Sequence, residues 1–402
     1  MSLLTHTKAY QEARFALCSS RALPFFCYDL DALKHHAHRL VQSKIKLFYA
    51  VKANPLSRIL RVLKDLDYSF DVASRGELNQ SLKQGIAPSR IIYTGPAKSR
   101  DDLAYFLDLG VRFFVAEGPN QILWLNQLAP EPVQALLRVQ WQTNPLNTQN
   151  VIGGQAASAF GMYASDWLKV DIKAFKRVNV IGVHNFQWSN VGDLRTLETL
   201  WMHSALEAKR FAKVMRIPLD VLDIGGGIGI PYDASQPLLT WESVQGVIDK
   251  VQAQLSPNTQ MYMELGRYLV GLFGDYMTSV VDAKQAKHVD MLLLASGVNH
   301  LVRSALVGAY FPIDNCSGAS HVPRRSFKLF GPLCTNLDYL GTHDLAENTQ
   351  VNDWLVFRHC GAYAFTESMP FFLCHDLPAE WVFYQGKLKE VRSSVPASTW
   401  LK

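Results

Sequence analysis

Short apolar runs alternate with amphipathic stretches over the first two thirds of the chain. The β-type runs fall at residues 46–51, 68–72, 90–94, 112–116, 134–139, 178–184, 219–224 and 260–263, and each reads as a strand. Between them, residues 56–66, 75–85, 100–109, 194–215 and 241–255 carry apolar positions at helical spacing. Eight strand-then-helix units in series predict a closed (β/α)8 barrel. Beyond about Tyr268 the rhythm changes. Residues 269–283, 291–295, 325–330, 354–357 and 381–384 read as strands without long helices between them, which predicts a separate antiparallel sheet. Residues 24–29 are also β-like and are expected to pair with that sheet. The expected organisation is a barrel over residues 30–270 and a β domain made of residues 1–29 and 271–402.

Composition narrows the class without naming the function. The 402 residues are 48% hydrophobic and 19% charged, enough apolar material for a large core and against intrinsic disorder. Forty Lys and Arg against 35 Asp and Glu leave +5, spread without a basic run, so nucleic acid is not the expected partner. The N-terminus lacks the charged, apolar and small-residue succession of a secretion signal, and no run of about 18 apolar residues occurs. The expectation is a soluble, cytosolic protein with no membrane partner. Six cysteines without a C-x-x-C pair predict free thiols, with neither a disulfide scaffold nor a metal site. An enzyme, a binding module and a scaffold all share this profile.

In a (β/α)8 barrel the chemistry sits at the C-terminal ends of the strands. Strand one ends Phe48-Tyr49-Ala50-Val51-Lys52-Ala53-Asn54-Pro55, a lysine among apolar neighbours. Desolvation there favours a neutral amine able to form a Schiff base; a lysine snorkelling out of a strand end is the plainer reading of the residue alone. Strand seven ends in the cluster Gly225-Gly226-Gly227, where missing Cβ atoms let backbone N–H groups approach a phosphate, although a tight turn uses the same residues. Strand eight ends Glu264-Leu265-Gly266-Arg267, a carboxylate to accept from a ring N–H and a guanidinium to fork onto a phosphate, or an ordinary strand-end salt bridge. Strand six continues into Phe186 and Ser189, an aromatic face for a flat ring and a hydroxyl for a phosphate, or a core aromatic and a turn serine. Lysine, glycine cradle, arginine and glutamate on one barrel face point to pyridoxal phosphate.

With these residues in place the sequence resembles, nearly end to end, the fold-type III pyridoxal-phosphate decarboxylases, the group of ornithine, arginine and diaminopimelate decarboxylases. The matching segments are residues 24–29, 48–55, 71–78, 158–162, 222–227, 264–270, 297–310, 331–338 and 361–363. The resemblance implies a TIM-like barrel with an alanine racemase-like β domain. It implies that Lys52 carries the cofactor, that Ser189, Gly225, Gly226, Gly227, Gly266, Arg267 and Tyr363 hold its phosphate, and that Glu264 contacts the pyridine nitrogen. Asp71 and Arg138 match positions supporting lysine and cofactor, and Cys334 matches a cysteine that the partner subunit of a head-to-tail homodimer supplies; a buried structural cysteine is the alternative. A carboxylate beside the pyridine nitrogen keeps it protonated and the ring a deep electron sink, where racemases of this fold carry an arginine, so decarboxylation is the implied reaction.

Three departures bear on substrate and assembly. Phe186 replaces a histidine of many relatives. Ala159 replaces a lysine that pairs across the dimer, although Asp338 is kept. Thr335 follows Cys334 where ornithine and diaminopimelate enzymes carry an acid, and a neutral hydroxyl leaves a buried substrate ammonium without its counter-charge. Arg303 and His300 lie in a segment resembling one that binds a substrate carboxylate, and residues 370–380 look like the branch found in siderophore pathways. The expected substrate is therefore an N-acylated or citryl-linked diamino acid such as citryl-ornithine or citryl-diaminopropionate, with Arg303, His300, Thr335, Arg324 and Arg325 as candidate contacts; for the two adjacent arginines a solvated loop pair is the alternative. A conventional ornithine, lysine or diaminopimelate decarboxylase and a non-catalytic decarboxylase-like regulator are the competing expectations.

Overall fold

Eight parallel strands close on themselves in the computed structural model, which describes residues 6–146, 158–232, 236–308, 310–316 and 322–401. They are Lys46–Ala50, Ser69–Val72, Ile91–Tyr93, Phe113–Ala116, Val133–Gln140, Val178–His184, Val221–Asp223 and Gln260–Leu265, numbered one to eight below. Strand eight returns to strand one with Tyr262 opposite Lys46 and Leu265 opposite Tyr49. These strands are legible as apolar runs because both faces are covered. Phe48, Ile92, Val115, Leu136, Val221 and Tyr262 fill the interior as one buried cluster, a packed core and not a pore. On strand six a Cβ at Gly182 would stand 1.8 Å from the Val221 carbonyl oxygen, so the approach of strands six and seven depends on that glycine.

Helices Ser57–Asp65, Arg75–Lys83, Arg100–Asp108, Pro119–Leu128, Leu194–Met215 and Trp241–Gln252 follow strands one to four, six and seven. Their starts are set locally. Ser74, Asp193 and Thr240 accept from backbone N–H groups in the first turn, and Ser99 with Asp102 forms a reciprocal capping box. After strand five a two-residue strand, Met162–Tyr163, lies beside Val139 and Gln140 and is followed by a single helical turn, Ala164–Trp167. No helix among the described residues is long and apolar enough to cross a membrane.

By its internal contacts this barrel unit comprises residues 37–230 and 237–268, and a second unit comprises residues up to 36, 231–236 and 269 onward. The second unit holds the other sheet. Phe25–Asp29 runs antiparallel to Gly274–Ala286 and parallel to Ala379–Tyr384. Val289–Leu294 is parallel to Arg324–Phe330, which pairs antiparallel with Tyr339–Ala346. The sheet is therefore mixed, where an antiparallel one was expected. The parallel pairs join strands separated by long connections, the only kind that permits a crossover.

Residues 269–273, expected to be strand, instead complete the helical turns Arg267–Val270 and Gly271–Phe273, because an apolar run does not by itself distinguish strand from buried turn. Ile313–Asn315, Tyr339–Ala346 and Lys387–Arg392 were not anticipated; the last reads Lys-Leu-Lys-Glu-Val-Arg and, among the described residues, pairs only with Ala379–Tyr384. Helix Lys8–Ser20 was also missed. It packs Tyr10, Leu17 and Cys18 against Phe25, Cys27, Met277, Val356 and Phe383.

Gly182→Ala is expected to destabilise the barrel by about 2 kcal/mol, the scale of an overpacked core methyl group. Urea denaturation measures it, and an unchanged midpoint would show that strands six and seven have room to separate.

Candidate active site

Three carboxylates and a histidine end together at the C-terminal mouth of the barrel. Asp71 comes from strand two, His184 closes strand six, Asp223 closes strand seven and Glu264 lies near the end of strand eight. Each is the product of the two-residue alternation of its strand, which turns every second side chain inward. Asp71 accepts from the Thr94 hydroxyl and lies 3.4 Å from Lys52 Nζ. Asp223 Oδ1 accepts from the Gly225 N–H at 2.8 Å. One ring nitrogen of His184 lies 3.3 Å from Glu264 Oε1, yet out of line for a hydrogen bond. Both His184 nitrogens, Glu264 Oε1 and Asp223 Oδ2 are buried without a hydrogen-bond partner. One donor atom from each of His184, Asp223 and Glu264 falls within 4.8 Å of the others.

The electrostatics follow from this crowding. Burial raises Asp71, and repulsion from Glu264 adds to the shift against the opposing pull of Lys52. Burial likewise raises Asp223 well above the carboxylate range, again reinforced by Glu264. Burial pushes Glu264 upward too, but the charge and hydrogen-bonding capacity of His184, then Lys52 and Arg138, outweigh it and hold Glu264 below its ordinary value. Of the three, Glu264 alone is shifted towards its ionised form. Lys52 sits in the turn Val51–Ala53 that follows strand one. Its side chain is 48% exposed and faces a carboxylate, which differs from the apolar enclosure expected of it. The residue ends a strand at the barrel rim, where one side stays open.

Glycines shape the next part of the mouth. Gly225 and Gly227 take left-handed backbone, φ +63° and +85°. A Cβ on Gly225 would strike the Phe186 ring at 2.5 Å, and one on Gly226 would lie 2.0 Å from the Glu264 carbonyl oxygen. The loops after strands six and seven are laced together by Val191 N–H to the Gly227 carbonyl and Gly229 N–H to the Val191 carbonyl, each 2.8 Å. Phe186 is half-buried on this cradle, Ser189 is exposed, and Gly266 is followed by the buried Arg267.

Arg138 on strand five does not reach out alone. Its Nη1 donates to Glu117 Oε1 at 2.9 Å, and its guanidinium lies over the Phe160 ring. Glu117, just after strand four, also accepts from the Gly161 N–H at 2.5 Å and lies 4.0 Å from Lys98 Nζ. Lys98 is buried and donates to the carbonyls of Thr94 and Gly95. Burial lowers its ammonium to about 7 against the opposing pull of Glu117. Sequence reasoning missed His184, Asp223, Glu117 and Lys98. The first two end strands whose following residues did draw notice, and inward alternation is the signal that could have found them.

The remaining candidates belong to the other unit. Cys334 is exposed on a turn in which the Thr335 hydroxyl accepts from the Leu337 N–H at 3.2 Å. Asp338 is buried, its two oxygens accepting from Val298 N–H at 2.7 Å and Leu333 N–H at 2.6 Å, so the acid retained for pairing across a dimer is engaged by its own backbone. Arg303 pairs with Glu367 at 3.0 Å and lies over the ring of Tyr363, whose φ is +52°. His300 is buried between the Tyr276 hydroxyl at 2.7 Å and the Asp376 carbonyl at 3.3 Å; burial first, and then nearby cations, lower it to about 3 against the pull of that carbonyl. Both ring nitrogens are thus occupied by its own unit and the ring is neutral, unlike a carboxylate-binding cation. Arg324 and Arg325 open a strand, and hold the Asp344 carbonyl and, at 3.2 Å, the Asp290 carboxylate; they are not a loop pair.

Comparison with known proteins agrees with this geometry. The family model described as "Pyridoxal-dependent decarboxylase, pyridoxal binding domain" matches residues 30–271. A diaminopimelate decarboxylase of Pseudomonas aeruginosa is 30% identical, the match covering 80% of this chain and 77% of that protein. The L-glutamyl-[BtrI acyl-carrier protein] decarboxylase of Niallia circulans is 24% identical over 94% of this chain and 92% of its own length. The crystal structure of the Helicobacter pylori diaminopimelate decarboxylase complexed with L-lysine superposes with a TM-score of 0.83 at 22% identity, covering 96% of this chain and 97% of that one, which shows the shared fold.

Glu117→Gln is expected to cost about 3–5 kcal/mol, because it leaves the buried Arg138 without its counter-charge. Denaturant titration at neutral pH reads the loss; a change under about 1 kcal/mol would mean that Arg138 finds another partner or water.

Proposed function

The chain belongs to the pyridoxal-dependent decarboxylases, and from that membership we propose an α-decarboxylase of an N-acylated or citryl-linked diamino acid, of the citryl-ornithine or citryl-diaminopropionate kind, acting in siderophore assembly. The observation that carries the substrate class is the turn bearing Cys334. Its first side chain after the cysteine is the neutral Thr335, and its acid, Asp338, is committed to two backbone N–H groups. A substrate ammonium desolvated there would meet no free carboxylate. The Niallia circulans relative, whose name gives it an amino acid joined to a carrier protein, supports a conjugated substrate.

The residues fit pyridoxal phosphate. Glycines 225 and 226 leave no room for a Cβ, and Glu264 Oε1 is a buried acceptor without a hydrogen-bond donor. When bound, the cofactor supplies an electron sink for the electron pair left on the α-carbon as carbon dioxide departs. Lys52 holds it covalently and is in turn held by Asp71. Glu264 accepts from the pyridine nitrogen, and Phe186 lies on the ring. Gly225, Gly226, Gly227, Gly266, Arg267, Ser189 and Tyr363 take the phosphate. Arg138, pinned by Glu117, keeps the strand-five side of the mouth cationic. Cys334, supplied by the partner subunit of a cytoplasmic homodimer, or Lys52 returns a proton to the α-carbon, and Arg303 faces a substrate carboxylate. His300 has no such role in this reading, because both its nitrogens are engaged.

A second reading has its own support. Diaminopimelate decarboxylases recur among the relatives, and the Helicobacter pylori enzyme is titled as a complex with L-lysine. In that reading the chain acts on free diaminopimelate, ornithine or lysine and finds the distal ammonium's partner elsewhere.

Carbon dioxide release from citryl-ornithine and citryl-diaminopropionate, beside free ornithine, lysine and diaminopimelate, separates the two. The conjugates are expected to turn over at least tenfold faster in kcat/KM, and turnover of the free amino acids alone would sink the conjugate reading. Thr335→Glu is expected to move that ratio at least tenfold towards the free diamino acids, a change of about 1.4 kcal/mol. Lys52→Ala is expected to lose both activity and the Schiff-base absorption band; retention of the band would remove Lys52 from its role.

A further inference from the structure

His184 belongs to no role assigned above, although it ends strand six at the mouth. It is buried at the end of strand six, 3.3 Å from Glu264 Oε1, and neither of its nitrogens has a hydrogen-bond partner. An imidazole without a partner in the interior is costly, so its position calls for a group that it serves. The groups facing Glu264 come from five strand ends. They are His184, Asp223 with its unpaired Oδ2, Asp71, Lys52 and Arg138. Two of them are further carboxyls, and both are driven towards the neutral form by burial and by Glu264 itself. Glu264 can stay anionic among them only with a donor or a positive charge close by. His184 stands 3.3 Å from it and is the largest favourable influence upon it.

We propose that His184 is the positioning residue that keeps Glu264 an anion directed at the cofactor's pyridine nitrogen, so that the proton shared by that pair resides on nitrogen and not on the glutamate. The inference rests on the cofactor reading given above and concerns a residue that reading does not use. One proton is balanced between two sites. With the proton on nitrogen, Glu264 is an anion that His184 stabilises at 3.3 Å, through an N–H turned towards Oε1. With the proton on Glu264, the ring nitrogen is neutral, the carboxyl is neutral and His184 gains little. Removing the imidazole therefore moves the proton from nitrogen to the glutamate oxygen, with no other atom transferred. A weaker electron sink results.

The test reads the proton directly. Apoenzyme of the wild type, Glu264→Gln, His184→Phe and His184→Gln is reconstituted with pyridoxal phosphate labelled with 15N in the ring, and the ring-nitrogen resonance is recorded. The wild type is expected to give the shielded resonance of a protonated ring, and Glu264→Gln the deshielded one. His184→Phe is expected to shift by most of the difference between those two at full cofactor occupancy. His184→Gln, which keeps a side-chain donor, is expected to restore the protonated signal. If His184→Phe fails to fold, as judged by near-ultraviolet circular dichroism, His184→Asn is too short to reach Glu264 and is expected to give the same shift. A wild-type resonance in the Phe or Asn variant, alongside a shifted one in Glu264→Gln, would overturn the proposal. Failure of the wild type to take up cofactor, or an unshifted Glu264→Gln, would instead overturn the cofactor reading beneath it.

Discussion

Like charges in a dry place are the constraint around which this molecule is arranged. Asp71, Asp223 and Glu264 converge on one barrel mouth, all of them buried or nearly so. Two unit charges about 4 Å apart repel by about 4 kcal/mol even at the moderate effective dielectric of a protein surface, so ionising all three together is costly. Each is relieved differently. Asp71 is given the Thr94 hydroxyl and the Lys52 ammonium, Asp223 the Gly225 N–H, and Glu264 a histidine. A second charge assembly of Arg138, Glu117 and Lys98 lies beside the first and contributes cations to it. Such balances tolerate little movement, and the strands that carry these groups are accordingly fixed from below by a filled barrel interior and from above by the laced loops after strands six and seven.

The barrel was legible in the sequence for a simple reason. Parallel strands covered on both faces must be apolar runs, and the eight runs reappear as eight strands with ends shifted by a residue or two. The glycine cluster was legible because positive φ at 225 and 227 and a backbone contact at 226 exclude other residues. The sheet of the second unit was harder to read. Its polar strands, Lys387–Arg392 above all, carry no apolar signal, and the crossovers that make it mixed lie between segments far apart in the chain.

The side chains that regulate charge were hidden for another reason. His184 meets Glu264 across 80 positions and Glu117 meets Arg138 across 21, and no local spacing marks such pairs. His300 and Asp338 show the converse. A resemblance of motifs indicates a substrate contact and a subunit contact at these positions, yet a tyrosine hydroxyl, a carbonyl and two backbone N–H groups of the chain itself engage them. Motifs carry residue types, whereas hydrogen-bond allegiance is decided by packing.

That allegiance separates architecture from specificity within one short turn. Asp338 sits between the backbones of two glycines, since a Cβ at Gly297 would lie 1.9 Å from its Oδ1 and one at Gly331 2.4 Å from it. Its carboxylate thereby staples the segment leading to Arg303 to the turn bearing Cys334, and a charge accepting two backbone N–H groups is costly to unpair. These bonds of Asp338 do not involve the side chain at position 335. Thr335 is three residues earlier and half-buried, and its hydroxyl accepts from the Leu337 N–H at 3.2 Å. An acid can replace it without disturbing the staple. One position of this turn fixes geometry, and its neighbour is left to set which charge the turn presents.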